Sequence, residues 1–360
     1  MKVLQVINGL DAGGAEKLLV DAAIKFFKNG IEIHVLLLQK RDSPFLKKLE
    51  KFPEINILYL STSGTLYNPL FVFKLKKILR NYDVIHVHLF PSLYWVSLAK
   101  TISSKNHTLV YTEHNTTNRR RNHPFFKFTD RILYKNYNKI ISISDSVDIS
   151  LKKHLGEKFK NILKIYNGID LKEINDAKQY SKTELNIPED SKLIIQISSF
   201  TAQKNQETLI NALKYLPENI YLLLVGDGSL KSKNKALSEA LNLSERVRFL
   251  GIRNDVPRLL KSVDAVVLSS NFEGLSLSSI EGLASGKPFL ASNVPGLSEV
   301  VLDYGILFEN NNSEELAMFL KKALFDSKYA KEVSEKCELR AKEFDINSMI
   351  RHYSKLYKSL

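Results

Sequence analysis

Ala265-Val266-Val267-Leu268-Ser269-Ser270-Asn271-Phe272-Glu273-Gly274-Leu275-Ser276-Leu277-Ser278-Ser279-Ile280-Glu281-Gly282-Leu283-Ala284-Ser285-Gly286-Lys287-Pro288 reads as a strand, a turn and a capped helix in succession. The apolar run 265–268 is predicted to be a buried strand. Glu273 and Gly274 fall in the turn that follows. Leu275 to Ser285 is predicted to be a helix, ended by Gly286 as its C-terminal cap. A second strand, Pro288 to Ala291, then begins. Strand, helix and strand in this order make a crossover unit of a parallel sheet. The start of such a helix offers unpaired backbone N–H groups and a positive dipole end, and Gly274 lets a ligand come close to the backbone. These features suit a diphosphate.

The same alternation extends outward over most of the chain. Towards the amino end, strands are predicted at 2–7, 31–38, 55–60, 84–88, 109–113, 139–142 and 162–166. Amphipathic stretches at 15–28, 69–80 and 124–137 separate several of them. Around 167–190 the pattern turns polar and irregular, which predicts a linker. It restarts with strands at 193–198, 220–225, 247–250, 265–268 and 288–291. The last amphipathic stretch, 346–357, is predicted to be a helix that returns to the first domain. The expected architecture is α/β, with two doubly wound Rossmann-like domains facing a central cleft. Residues 1–168 with 346–360 form one domain and 169–345 the other. In such sheets ligands bind beyond the carboxyl ends of the strands.

Composition fits this picture. The chain has 360 residues, 44% hydrophobic and 25% charged, with a net charge of +13. That length calls for two cores. No apolar run is long enough to span a bilayer, and the start lacks the pattern of a signal peptide. A single cysteine, Cys337, rules out an internal disulfide and suits a reducing compartment. A cytoplasmic protein is therefore expected. The positive charge suits nucleic acid, an anionic membrane or phosphorylated ligands. No helix-turn-helix, zinc-finger or RNP pattern supports nucleic acid.

Glu273 and Glu281, with Gly274 between them and the Ala284-Ser285-Gly286-Lys287-Pro288 ending, resemble the signature of family 4 retaining glycosyltransferases of the GT-B fold. Further segments agree in order. Asn8-Gly9 to Gly13-Gly14-Ala15-Glu16 resembles the family's glycine loop, and Thr112-Glu113-His114-Asn115 its histidine segment. Tyr166-Asn167-Gly168-Ile169-Asp170 resembles its entry to the linker, and Gln203-Lys204-Asn205 its phosphate-binding lysine loop. Gly226-Asp227-Gly228, Phe249-Leu250-Gly251 and Pro295-Gly296-Leu297-Ser298-Glu299 match further strand ends. One position departs: Ser199 stands where the family usually has an arginine that helps neutralise the leaving diphosphate.

The resemblance implies transfer of a hexosyl or N-acetylhexosaminyl group, with retention, from a nucleotide-sugar to a saccharide or polyprenyl-linked acceptor. It favours a UDP-sugar and surface polysaccharide synthesis. It assigns catalytic roles to Glu273, His114 and Lys204. Donor binding is expected from Gly13, Gly14, Ser199, Lys204, Gly226, Ile252, Arg253, Gly274, Leu275, Ser276, Leu277 and Glu281, with Glu281 on the ribose. His86 and His88, two apart on one strand and so on one face, are expected to line the acceptor side with Asn115, Arg119 and Arg120. No cofactor is expected and no metal, since no third ligand joins the two histidines. The basic amphipathic stretch 71–80 either packs on its sheet or attaches the protein to an anionic inner membrane surface. Three rivals remain: a nucleotide-sugar epimerase on the same fold, a binder that has lost catalysis (motivated by Ser199), and a nucleic-acid-binding protein.

Overall fold

The computed structural model describes residues 1–11, 13–116, 123–156 and 159–360. These form two compact units, Met1–Gly168 with Ile346–Leu360, and Ile169–Asp345. In the first unit, β1 (Lys2–Ile7), β2 (Glu32–Gln39), β3 (Asn56–Ser61), β4 (Val84–His88), β5 (Thr108–Glu113), β6 (Lys139–Ser142) and β7 (Ile162–Lys164) make one parallel sheet. Its order is β3-β2-β1-β4-β5-β6-β7. Val3, Leu4, Val6 and Ile7 are all 0% exposed. This continuous burial, without alternation, is what a sheet covered on both faces requires. Truncating any of these side chains to alanine would cost about 2–5 kcal/mol for the larger ones.

In the second unit, β8 (Lys192–Ile197), β9 (Ile220–Val225), β10 (Val247–Gly251), β11 (Ala265–Leu268), β12 (Phe289–Ser292) and β13 (Ile306–Phe308) are again all parallel. The order is β10-β9-β8-β11-β12-β13. Both sheets thus reverse their winding direction once, between β1 and β4 and between β8 and β11. The loops that leave these neighbours diverge to opposite faces and open a crevice at the carboxyl edge.

Three expectations need correction. The three-residue strand β13 follows Gly305; it is too short to show a period. The stretch 169–190 is no free linker, because it folds onto the second unit. Ile174 and Ile187 are buried there, the Tyr180 N–H donates to Ser262 Oγ at 2.7 Å, and the Arg258 guanidinium lies 3.7 Å from the Tyr180 ring centre. Third, the helix after β11 is Leu277–Leu283 rather than 275–285. Glu273, Leu275 and Leu277 are buried at alternate positions. The chain bends at Gly274 and Leu275 and is extended at Ser276 (φ −74°, ψ 128°), so the helix begins only at Leu277. The C-cap is Ala284 rather than the expected Gly286, which ends the turn that follows at φ +74°.

Candidate active site

The reversal point of the second sheet gathers the residues that the β11 segment singled out. The loop after β8 carries Lys204, and the loop after β11 carries Glu273. Lys204 Nζ donates to Glu273 Oε1 at 2.5 Å, with the two side chains 16% and 5% exposed. Ser270 Oγ donates to the same oxygen at 2.6 Å, and Gln203 Nε2 to Oε2 at 3.2 Å. The two loops are also tied through their backbones. Asn271 N–H donates to the Gln203 carbonyl at 2.7 Å, and Asn271 Nδ2 to the Ala202 carbonyl at 2.8 Å. A buried carboxylate with three donors, one of them a cation, is held in one place.

The sequence placed Lys204 on a diphosphate and Glu273 on a sugar as separate groups. The structure makes them one ion pair. Ser270 carried no signal of its own, being one serine among many.

Around this pair, glycine is required by space. Gly296 has φ +86°, and a Cβ there would lie 2.2 Å from the Glu273 carbonyl oxygen. Gly226 has φ +136°, and a Cβ would lie 2.1 Å from the Ser198 carbonyl oxygen. The loops after β8 and β9 therefore press on each other without side chains between them, as do the loops after β11 and β12. Ser199 is exposed, and its carbonyl accepts from Gln206 Nε2 at 2.9 Å. Gly274 and Ser276 are half-buried between the buried Leu275 and Leu277. Glu281 is only 6% exposed, so it is no solvated helix residue.

Ile252, just past the carboxyl end of β10, is 55% exposed. Arg253 beside it grips Asp255 through Nε at 2.8 Å and Nη2 at 2.5 Å. That fork, helped by the Tyr180 hydroxyl, holds the Asp255 carboxyl down to about 2. Arg253 is thus paired with Asp255.

In the first unit the glycine loop leads into the helix Gly14–Lys28, with Gly13 as N-cap. A Cβ on Gly13 would meet Glu16 Oε2 at 2.2 Å. The missing side chain lets Glu16 fold over the helix start, where burial raises its pKa.

Beneath the carboxyl edge of the first sheet lies a hydrogen-bonded chain that the sequence reading did not foresee. His114 Nε2 and His88 Nδ1 are 3.1 Å apart, and His88 Nε2 and Gln5 Oε1 2.7 Å. Gln5 Nε2 donates to the Tyr357 hydroxyl at 3.3 Å, which meets His86 Nδ1 at 2.5 Å. His86 Nε2 meets Thr112 Oγ1 at 2.7 Å, and Thr112 meets the Tyr353 hydroxyl at 3.1 Å. Tyr353 and Tyr357 lie one turn apart on the helix Ile346–Ser359, so this helix completes the first unit.

Burial pushes the histidines down, to about 3 for His86 and about 4 for His114, with His88 also well below its usual value. All three are neutral at neutral pH. The Gln5 carbonyl can only accept, so His88 Nε2 carries the proton and His88 Nδ1 accepts. His114 must then donate through Nε2, which leaves its Nδ1 as an acceptor.

His86 is 2% exposed with both ring nitrogens engaged. The expectation that it lines an acceptor surface is corrected: it supports the histidines above it. His88, 6% exposed with both ring nitrogens engaged, is likewise a support. Asn115 is exposed, and its backbone N–H donates to Glu113 Oε1 at 3.1 Å. Arg119 and Arg120 lie outside the described residues. Among the described residues no group of three or more His, Cys, Asp or Glu is placed to hold a metal ion.

Comparison with known proteins gives consistent matches. A family model described as Glycosyltransferase Family 4 matches residues 12–173, and one described as Glycosyl transferases group 1 matches residues 177–340. The chain is 29% identical over 357 residues to the N-acetylgalactosamine-N,N'-diacetylbacillosaminyl-diphospho-undecaprenol 4-alpha-N-acetylgalactosaminyltransferase of Campylobacter jejuni, covering 94% of each chain. It is 28% identical over 273 residues to the UDP-Gal:alpha-D-GlcNAc-diphosphoundecaprenol alpha-1,3-galactosyltransferase of Escherichia coli, covering 71% of this chain and 70% of that one. Among solved structures, HepE of Anabaena in complex with UDP and glucose matches over 100% of both chains, with TM-score 0.88 and 24% identity.

Proposed function

The chain belongs to the family 4 glycosyltransferases of the GT-B type, and on that premise we propose that it transfers a hexosyl or N-acetylhexosaminyl group, with retention, from a UDP-sugar to a lipid-linked saccharide. The observation that carries this reading is the Lys204–Glu273 pair at the reversal point of the second sheet, where a doubly wound sheet takes its ligand. The nucleotide-sugar is assigned to the second unit and the acceptor to the first.

Three needs define the chemistry. Charge growing on the leaving diphosphate is met by the Lys204 ammonium and the backbone N–H groups near Gly274 and Ser276. Within the second unit the sugar is assigned to Glu273; in the first, His114 Nδ1 is an acceptor for a substrate hydroxyl. The acceptor oxygen attacks the anomeric carbon as the bond from that carbon to the phosphate oxygen breaks. The acceptor proton passes to a phosphate oxygen of the departing UDP, so no side chain has to act as base. Two undecaprenyl-linked acceptors among the relatives support a lipid-linked acceptor, and with it a protein working at the cytoplasmic face of the inner membrane. Among the described residues no helix is long and apolar enough to cross a membrane.

The test is UDP release from a panel of UDP-sugars, with and without a membrane extract as acceptor, for the native protein and for Glu281→Ala and Lys204→Ala. Release from one donor that depends on the extract and is lost in both variants supports the reading. Conversion of the donor with no acceptor would point to an epimerase. Nucleotide binding without release from any UDP- or GDP-sugar would point to an inactive binder.

A further inference from the structure

The helix Pro124–Leu133 has three faces where an ordinary surface helix has two. Its inner face seats Asp130 and Leu133, 0% and 8% exposed. Asp130 accepts from the Tyr94 hydroxyl at 2.5 Å and pairs with His154 Nε2 at 2.8 Å. The helix is thus fastened to the helices Ser92–Thr101 and Asp145–Leu155.

Its outer face should be polar. Instead Phe125, Phe128 and Ile132 are 62%, 66% and 50% exposed. Spaced by three and four residues, they form a single row. Lys127 and Arg131, both exposed, line one edge of that row, and the helix's one acid, Asp130, is buried.

Exposed apolar side chains in a row, flanked along one edge by cations, are poorly matched to water and well matched to the boundary of an anionic bilayer. There apolar side chains enter the acyl region and the cations meet headgroups. We propose that this face is a membrane-contact surface whose partner is an anionic lipid bilayer. The proposal rests on the reading that the acceptor is lipid-linked, and names the surface that brings the enzyme to it. The helix Phe71–Leu79 is the rival surface: it buries Phe71, Leu75 and Leu79 but leaves Leu70 and Phe73 60% and 61% exposed, while its Lys74 amine is turned to the Leu60 carbonyl at 2.9 Å.

The experiment is co-sedimentation of the full chain with vesicles of phosphatidylcholine alone and of phosphatidylcholine mixed with phosphatidylglycerol. The variants are F125S/F128S/I132S, K127E/R131E and K74E/K77E/R80E. The native protein is expected to favour the anionic vesicles, and the first two variants to lose on the order of tenfold in that binding. The third should stay close to native. All substituted positions in the first two variants are exposed, and a thermal melt with unchanged Tm excludes loss of fold.

Native protein that ignores anionic vesicles at low salt, or an F125S/F128S/I132S variant that binds as the native does, would overturn the proposal. So would a native dimer that the same variant converts to monomer, since the face would then meet a second copy. UDP release with a detergent-solubilised acceptor separates this failure from that of the enzymatic reading: a transferase that is active there but blind to vesicles loses only the surface.

Discussion

Lys204 donates to Glu273 across 2.5 Å, from the loop that follows β8 to the loop that follows β11. These strands are neighbours at the one place where the second sheet reverses its order. An arriving diphosphate competes with the Glu273 carboxylate for the same ammonium, so donor binding and the position of Glu273 are linked.

Removing either partner leaves a charge buried alone. Lys204→Ala and Glu273→Ala should each destabilise the second unit by about 3 kcal/mol, and the double variant by clearly less than their sum. Thermal or urea unfolding of the three variants measures this. In binding the two should part: Lys204→Ala weakens UDP, while Glu273→Ala, which removes the competitor for the ammonium, tightens UDP and abolishes transfer. Additive losses of stability, or equal losses of UDP affinity, would contradict the shared role.

Tyr357 sits between Gln5 and His86. Tyr357→Phe removes a hydroxyl from a buried chain and should cost about 1–3 kcal/mol of stability. If the chain also sets the proton on His114, kcat should fall further than UDP affinity, which belongs to the second unit. Steady-state kinetics and UDP titration separate the effects, and an unchanged kcat would restrict Tyr357 to a structural part.

The buried histidines predict a pH dependence with a definite sign. His86 and His114 are held down to about 3 and about 4 from a usual 6.5, in both cases by burial. The unfolded chain therefore binds protons that the folded chain refuses. The stability from these groups is fully present above about pH 6.5 and is lost as pH falls from there towards those lower values. Urea midpoints across pH 4 to 8 should show the decline on the acid side, reduced in His86→Gln. A flat acid limb would exclude neutral buried histidines.

Gly296→Ala puts a methyl group where the Glu273 carbonyl lies and demands a positive φ of an alanine. It should cost upward of about 1 kcal/mol and lower donor affinity by displacing the Glu273 turn. An alanine variant with native Tm and native UDP affinity would show that the two loops do not press on each other.

Much of the fold is readable along the chain. Ala265–Leu268 is a strand in the expected place because a strand buried on both faces is an unbroken apolar run. Gly286 marks the end of the turn after the β11 helix because a residue free to take positive φ stands there. Lys204, Glu273 and Glu281 stood out through their order along the chain. Gln5, Thr112, Tyr353 and Tyr357 did not. Nothing local distinguishes a tyrosine near the end of the chain from one that only fills space, since its hydroxyl gains meaning from His86, 271 residues away in sequence.

The sequence by itself determined two parallel α/β sheets, their junction near residue 168 and the charged residues at the strand ends, because these depend on local periodicity and turn chemistry. Only the tertiary structure decided that Lys204 and Glu273 form one ion pair, that His86 and His88 are buried supports, and that Phe125, Phe128 and Ile132 face outward. Each of these depends on which groups meet after long loops close. That is settled by the burial and hydrogen bonding of distant partners and leaves no period in the chain.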